Sequence, residues 1–217
     1  MVALGAAISV LAVALPASGC GSSTSDSGTR TATSGEAGGL SRPAPGTVEM
    51  LDGRNDVAGS QEMSAAPSWV DAGWASVSKA GDNLVFSMDL AGALPAAMQA
   101  GMAAEWGFMI DSTSSGAPDW VVYASDSVQD GWTWGVYNPK TKQRLTGDQF
   151  PGAAEHADTR ITLTVSAASM GAPQTFKWFA FTNVYVKSST GGQAQQAGDK
   201  IPDKGEPDNS ADWLPYP

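Results

Sequence analysis

The sequence predicts an all-β fold, an antiparallel sandwich of two sheets of the immunoglobulin-like or jelly-roll-like kind, with at most one or two short helices. Three observations predict it. Short segments alternate apolar and polar side chains at a period of two. Clusters of Gly, Asn, Asp and Pro separate these segments. No long stretch has the period of an amphipathic helix, so the segments are expected to be strands of a sandwich.

The first strand pair is expected within residues 74–90. Large apolar side chains occupy every second position from Leu84 to Leu90, which predicts a half-buried strand. The turn-forming residues 80–83 precede it. Residues 74–79 are therefore expected to pair with it as a β-hairpin.

Further segments continue the series of strands. Trp106, Phe108 and Ile110 repeat the alternation, and the stretch that follows, residues 111–116, has the composition of a turn. Residues 176–182 are apolar on both faces, which predicts a central strand that is covered on both sides. Three more strands are expected, at residues 120–123, 132–137 and 161–165.

One segment is a candidate for a helix. Residues 96–104 contain good helix formers, with Met98 and Met102 four positions apart, whereas Gly101 opposes a helix. We expect one or two helical turns packed over one sheet. The alternative is a loop.

The N-terminus has the pattern of a secretory signal. Residues 2–15 form an uncharged apolar run of fourteen residues, which is shorter than the roughly 20 that a membrane-spanning helix needs. Residues 17–20, Ala-Ser-Gly-Cys, resemble the lipobox of bacterial lipoproteins, so residues 1–19 are expected to be the signal peptide and Cys20 the lipidated residue. The protein is then secreted and anchored to the outer face of the cell membrane. No Lys or Arg precedes the run, which suggests a truncated or misassigned start.

The stretch that follows Cys20 has the composition of a tether. It consists mainly of Ser, Thr, Gly, Ala and Pro and is too poor in large apolar residues to form a core. We expect residues 20–46 to be disordered, with an r.m.s. span of roughly 30 Å. Residues 47–217 then form a single β-sandwich domain, and because Cys20 is the only cysteine, no intramolecular disulfide stabilises it.

The predicted domain is acidic. The charges of the tether cancel, so the formal net charge of -10 falls on residues 47–217. Such a field disfavours nucleic acid and anionic lipid surfaces as partners, and it favours solubility or the binding of cations.

Tryptophan is abundant, with eight in the chain. A flat indole can stack on the apolar face of a sugar ring. In residues 132–137, Trp132 and Trp134 share one face of a strand and Tyr137 lies on the other. An exposed tryptophan face would form a stacking platform with Trp120 as its neighbour. The candidate ligand-binding residues are therefore Trp120, Trp132, Trp134 and Tyr137. The alternative is that these side chains fill the core between two sheets. Core packing is expected for Trp106 and Trp178, which have apolar neighbours.

An acidic loop near the C-terminus is a candidate calcium site. Asp199, Asp203 and Asp208 lie close in sequence, with Pro and Gly between them to shape a loop. Calcium takes six to eight oxygen ligands, which carboxylates supply, although the spacing matches no EF-hand. A solvated acidic loop without an ion is the alternative.

Catalytic motifs are absent from the sequence. There is no G-x-S-x-G turn for a serine hydrolase. His156 is the only histidine and is expected in a surface loop, which disfavours a zinc or haem site. The carboxylate pair of a glycosidase is defined in space and not in sequence, and nothing singles one out. We therefore expect no enzymatic activity.

Several segments, taken in order, resemble one family of sandwich domains. They are WASVSKAGDNLVFSMDLAGALP, EWGFMID, DWVVYASD, ITLTVSAASMG, FKWFAFT and AGDKIPDKGEPDNSADWLPYP. The chain in this respect is similar to DOMON-like and type-nine carbohydrate-binding-module-like domains. The resemblance implies a cell-surface module that binds a ligand, carbohydrate in the first instance, without catalysis. The alternative is a structural lipoprotein whose partner is a cell-envelope protein, with no small-molecule site.

Overall fold

The computed structural model describes residues 48–53, 56–59, 66–187 and 193–217. These residues form strands and two short 3-10 helices, at Ala168–Met170 and Ser210–Asp212, and no α-helix occurs among them. The strands are β1 (Val48–Leu51), β2 (Ala58–Gly59), β3 (Ala72–Ala80), β4 (Asn83–Leu90), β5 (Met102–Asp111), β6 (Trp120–Ser127), β7 (Thr133–Asn138), β8 (Gln143–Thr146), β9 (Gly152–Ala157), β10 (Arg160–Ser166), β11 (Phe176–Lys187), β12 (Gln193–Ile201) and β13 (Leu214–Tyr216).

Two antiparallel sheets pack against each other, which confirms the predicted sandwich. The strand order in the first sheet is β1-β3-β4-β10-β9, and in the second it is β2-β12-β11-β5-β6-β7-β8. The last strand, β13, pairs with the beginning of β11 at Phe176–Trp178, whereas β12 pairs with β11 from Ala180 onward. The C-terminus is thus built into the second sheet by backbone hydrogen bonds.

The predicted hairpin is present as β3 and β4. The two strands pair antiparallel with Ser76 opposite Ser87, and β10 pairs with the other edge of β4. Every second residue of β4 faces the second sheet and is at most 4% exposed, namely Leu84, Phe86, Met88 and Leu90. A period of two is therefore sufficient to predict which face of this strand is buried.

Strand β11 is covered on both faces, as its composition predicts. Trp178 and Ala180 face the first sheet within the main core, whereas Phe179 and Phe181 lie on the outer face. The indole of Trp213 stacks on Phe179 with 5.5 Å between ring centroids. The segment between β12 and β13 thus covers the outer face of the second sheet.

The main core lies between the two sheets and is rich in aromatic side chains. Trp106 and Trp178 are 1% and 0% exposed, which confirms that both are core residues. Phe108 contacts Trp178 and also Phe86 of the first sheet, with ring centroids 6.0 Å and 5.2 Å apart. Large aromatic rings from both sheets therefore pack against one another in the core.

The expected helix at residues 96–104 is wrong, and the alternative of a loop is right. Residues 91–101 form a loop, and β5 begins at Met102. Gly101 has a φ of +81°, which ends the loop with a left-handed turn. Ala103 and Ala104 pair with both β6 and β11. Pairing with two strands outweighs the helix propensity of residues 102–104.

The signal peptide, Cys20 and the tether lie outside the described residues, which begin at Val48. All the described residues fall within one compact unit, Arg42–Pro217. In the parts of the chain that the structure describes, no helix is long and apolar enough to cross a membrane.

Candidate functional site

A cleft of about 540 Å³ opens at one end of the sandwich. Strands of both sheets and the loop of residues 91–101 surround it. Its polar and aromatic lining consists of Trp106, Asp126, Ser127, Trp132, His156 and Asp158, and its apolar lining includes Leu94, Met98 and Val128. A concave site with a few polar groups on an apolar wall is the usual form of a ligand site.

The turn between β6 and β7 positions Trp132 in this cleft. Gly131 adopts a φ of +64°, a conformation that glycine takes without strain. The turn is closed by the Gly131 N–H, which donates to the Ser127 carbonyl at 2.8 Å, and by the Asp130 N–H, which donates to the Ser127 hydroxyl at 3.0 Å. Trp132 follows directly, so its backbone is held by local hydrogen bonds.

The indole of Trp132 rests on a buried aromatic ring. Its centroid lies 5.7 Å from that of Trp106, which is 1% exposed. Trp106 in turn packs on Trp69 and donates its indole N–H to the Trp69 carbonyl at 3.2 Å. Because three indoles are in contact in series, Trp132 is supported from below while part of its ring remains open to solvent.

His156 faces Trp132 from the other sheet. It lies on β9, opposite Ile161 of β10, and so belongs to the side of the first sheet that faces the core. The two ring centroids are 4.1 Å apart, and His156 is exposed. The expectation of a surface loop at His156 is therefore wrong in its element, since the residue lies in a strand.

Two carboxylates complete the lining. Asp126 lies opposite Ala104 on β5 and continues the inward-facing series of β6, at the position where that series reaches the cleft. Asp158 lies in the turn between β9 and β10 with a φ of +47°, and its carbonyl accepts a hydrogen bond from the Leu94 N–H at 2.7 Å. That hydrogen bond ties the loop of residues 91–101 to the rim of the cleft.

The four residues predicted to bind ligand do not form one platform. Trp132 lines the end cleft, and Trp120 lines a second cleft of about 400 Å³. Trp134 packs closely against glycine backbone at Gly147. Tyr137 lies on the outer face of the second sheet, where the Arg144 guanidinium is 6.0 Å from its ring centroid.

The second cleft has an internally satisfied carboxylate beside Trp120. Asp119 forms an ion pair with Lys140 and accepts hydrogen bonds from Ser112 and Thr113. Burial raises the pKa of Asp119, but these donors outweigh it and hold the pKa below its ordinary value. Because the charged groups of this cleft already pair with each other, it is the weaker candidate for a ligand site.

The carboxylates predicted to bind calcium are only partly brought together. Asp199 approaches Asp52 and Asp56, with carboxylate oxygens of all three within 4.8 Å of one another. Asp203 is near enough to raise the pKa of Asp52. Asp208 is exposed and outside this group. Asp52 and Asp56 lie in sequence about 140 residues before the predicted loop, so sequence proximity could not identify them.

Two carboxylates of this group, Asp52 and Asp199, have raised pKa values. Burial, followed by the charges of Asp203 and Asp199, raises the pKa of Asp52 to about 7. Burial likewise raises the pKa of Asp199 to about 6, although its carboxylate accepts hydrogen bonds from the N–H groups of Ala72 and Lys200. An oxygen-rich set of this kind suits a hard cation such as calcium, and calcium binding remains a prediction.

No family model matches the chain, and no curated protein is significantly similar to it. The site is therefore judged on its geometry.

Sequence reasoning missed three of the residues that line the end cleft. Asp126, His156 and Asp158 were not predicted to bind ligand, because none of them belongs to a sequence motif that indicates a binding site. A usable signal was present for Asp126, which occupies an inward-facing position of β6 where an apolar residue is expected. A polar residue at a position where the strand pattern predicts an apolar one is typical of functional sites.

Proposed function

We propose that this protein is a non-enzymatic, lipid-anchored module of the cell surface that binds carbohydrate in the cleft at the end of its sandwich. The observation that carries the proposal is the contact between Trp132 and His156 across that cleft, with Asp126 and Asp158 beside them. An indole offers an apolar surface for the C–H face of a sugar ring. Carboxylates accept hydrogen bonds from sugar hydroxyls, which fixes orientation.

The support beneath Trp132 favours binding. Trp106 is buried and hydrogen-bonded, so the indole above it loses little conformational freedom when a ligand docks. Preorganisation of this kind improves affinity because less ordering entropy is lost on binding. The lipid anchor at Cys20 and the absence of catalysis are carried by the sequence alone.

A protein-interaction module without a small-molecule site is the second candidate. It is favoured by the packing of Trp134, since a methyl group added at Gly147 would lie 2.0 Å from the indole nitrogen. Trp134, one of the two tryptophans of the predicted stacking platform, is therefore a packing residue. Under this candidate, Trp132 would be a partly exposed edge of the core.

Thermal melts of the unlipidated chain (Cys20→Ser) with plant, fungal and bacterial-wall polysaccharides test the proposal. A ligand that binds only the native state raises the midpoint by mass action. We expect a shift with at least one polysaccharide, lost in Trp132→Ala but kept in Trp74→Ala. Trp74 is a matched control because it is also partly exposed but lies on the outer face of the first sheet, against Arg160. No shift with any polysaccharide would favour the protein-interaction candidate.

A further inference from the structure

The charged groups that line the end cleft are acidic. Among the described residues of its lining there are two carboxylates, Asp126 and Asp158, and no Lys or Arg. Arg160, the basic residue that is nearest to Asp158 in sequence, donates two hydrogen bonds to Asp89 at 2.5 Å and 2.6 Å. Ile161 beside it is buried in the core, so Arg160 lies on the opposite, outer face of the first sheet.

This charge distribution discriminates between ligand classes. An anionic ligand would meet two carboxylates without a basic partner, so like-charge repulsion disfavours it. A neutral ligand would gain hydrogen bonds only. A cationic ligand would gain Coulomb attraction in addition, and the acidic domain as a whole would attract it.

The arrangement of the cleft restricts where the positive charge would lie. Asp126 comes from the second sheet and Asp158 from the first, while the rings of Trp132 and His156 occupy the same lining. The cleft therefore combines the exposed part of Trp132 with one aspartate from each sheet. Trp132 contacts both Trp106 and His156 and is only partly exposed, so a ligand would meet the part of the indole that these two rings leave open.

We propose that the end cleft recognises a sugar that carries a free, protonated amine, with its apolar face on Trp132 and its ammonium group near Asp126 and Asp158. This inference rests on the proposed function and specifies the ligand class of the same site. A deacetylated hexosamine unit combines the two required features, a C–H face and an ammonium group on one ring.

Calorimetric titration of the full chain (Cys20→Ser) with three hexasaccharides tests this. The β-1,4-linked oligomers of glucosamine, N-acetylglucosamine and glucose share one backbone and differ in the group at C2, which is an amine, an acetamide or a hydroxyl. We expect the glucosamine oligomer to bind tightest in a buffer in which its amines are protonated. We also expect its affinity to fall with added salt, whereas binding of the other two should be insensitive to salt.

Two charge-removing variants and one control locate the effect. Asp126→Asn and Asp158→Asn are each expected to weaken glucosamine-oligomer binding roughly fivefold. Asparagine tolerates the positive φ of residue 158, so the Asp158→Asn variant should still fold. Glu155→Gln removes one charge from a residue of β9 that is exposed and outside the cleft lining, and it should leave the affinity unchanged.

Each other outcome counts against the inference in a distinguishable way. Equal or tighter binding of the glucose or N-acetylglucosamine oligomer, unaffected by Asp126→Asn, would overturn the amine specificity and leave carbohydrate binding intact. An equal loss in Glu155→Gln would mean that net charge, and not this cleft, attracts the amine. No binding of any of the three oligomers by the folded wild-type chain would overturn the inference, and the polysaccharide melts would then decide the proposed function separately.

Discussion

Trp132 and His156 pack against each other across the end of the sandwich, one from each sheet, with ring centroids 4.1 Å apart. Because His156 is exposed, its loss should cost little stability. We predict that His156→Ala lowers ligand affinity by about 1 kcal/mol, the usual value of an aromatic contact, and shifts the melting temperature only slightly. His156→Phe keeps a ring in place and is the control. A large loss of stability in His156→Ala with unchanged affinity would show that the contact is structural.

Trp134 is expected to be a structural residue. A Cβ added at Gly147 would meet the Trp134 side chain at 2.0 Å, 2.3 Å and 2.7 Å. Gly147→Ala should therefore destabilise the fold by about 1–3 kcal/mol through overpacking. In a Trp134→Ala background the added methyl has room, so the penalty should vanish. Urea denaturation of wild type, Gly147→Ala, Trp134→Ala and the double variant measures the free energy of unfolding of each. Additive effects of the two substitutions would contradict the predicted contact.

Thr182 links two parts of the core by buried hydrogen bonds. Its hydroxyl donates to the Val70 carbonyl and accepts from the Asp199 N–H at 3.1 Å. Thr182→Val keeps the shape of the side chain but leaves both backbone groups without this partner. We predict a loss of about 1–3 kcal/mol in the free energy of unfolding by urea denaturation. Thr182→Ser keeps the hydroxyl and should lose less; an equal loss in both variants would assign the effect to packing.

The acidic group around Asp52 predicts how stability depends on pH. The pKa values of Asp52 and Asp199 are raised to about 7 and about 6, above the ordinary value of 3.8. The native state therefore binds more protons than the unfolded state between about pH 4 and pH 7, so this group lowers stability as the pH rises through that range. Asp111 and Asp119 have lowered pKa values, so the unfolded state binds more protons at these two positions. They therefore lower stability as the pH falls below that range.

Melting temperatures across this pH range test the assignment. Asp52→Asn should flatten the dependence and raise the melting temperature at neutral pH, because it removes a carboxylate that is costly to ionise. Asp212→Asn removes a charge from an exposed residue of the second 3-10 helix and serves as the control. The same decline with pH in wild type and Asp52→Asn would contradict the account.

The calcium hypothesis is tested by the same melts at neutral pH. A cation that binds Asp52, Asp56 and Asp199 offsets their repulsion, so calcium should raise the melting temperature and a chelator should reverse the rise. Asp199→Asn should abolish the rise, whereas Asp208→Asn should not. An equal response to calcium in all variants would place any binding elsewhere.

The strands could be predicted from the sequence because their local patterns agree with their tertiary surroundings. The alternation in β4 and the two-sided apolar character of β11 each report burial directly. The segment at residues 96–104 could not be predicted in the same way. Its small residues are compatible with helix or strand, and only pairing with β6 and β11 decides between them.

The candidate site was harder to predict than the fold. Trp132 and Trp134 lie two positions apart, Trp132 directly before β7 and Trp134 within it, yet one lines a cleft and the other packs on Gly147. That difference depends on which backbone approaches from distant parts of the chain. The approach of His156 and of Asp158 from the first sheet likewise depends on the packing of the two sheets, which no local pattern encodes.

The central claim is that ligand binds at Trp132, and spectra of the indole N–H groups test it most directly. With nitrogen-15 labelling, each indole gives one signal, and the signals of Trp132, Trp120 and Trp74 are assigned by single Trp→Phe variants. Titration with the glucosamine hexasaccharide is predicted to shift the Trp132 signal progressively to saturation, while that of Trp74 stays in place. A shift at Trp120 or Trp74 without one at Trp132 would contradict the account and move the binding site elsewhere.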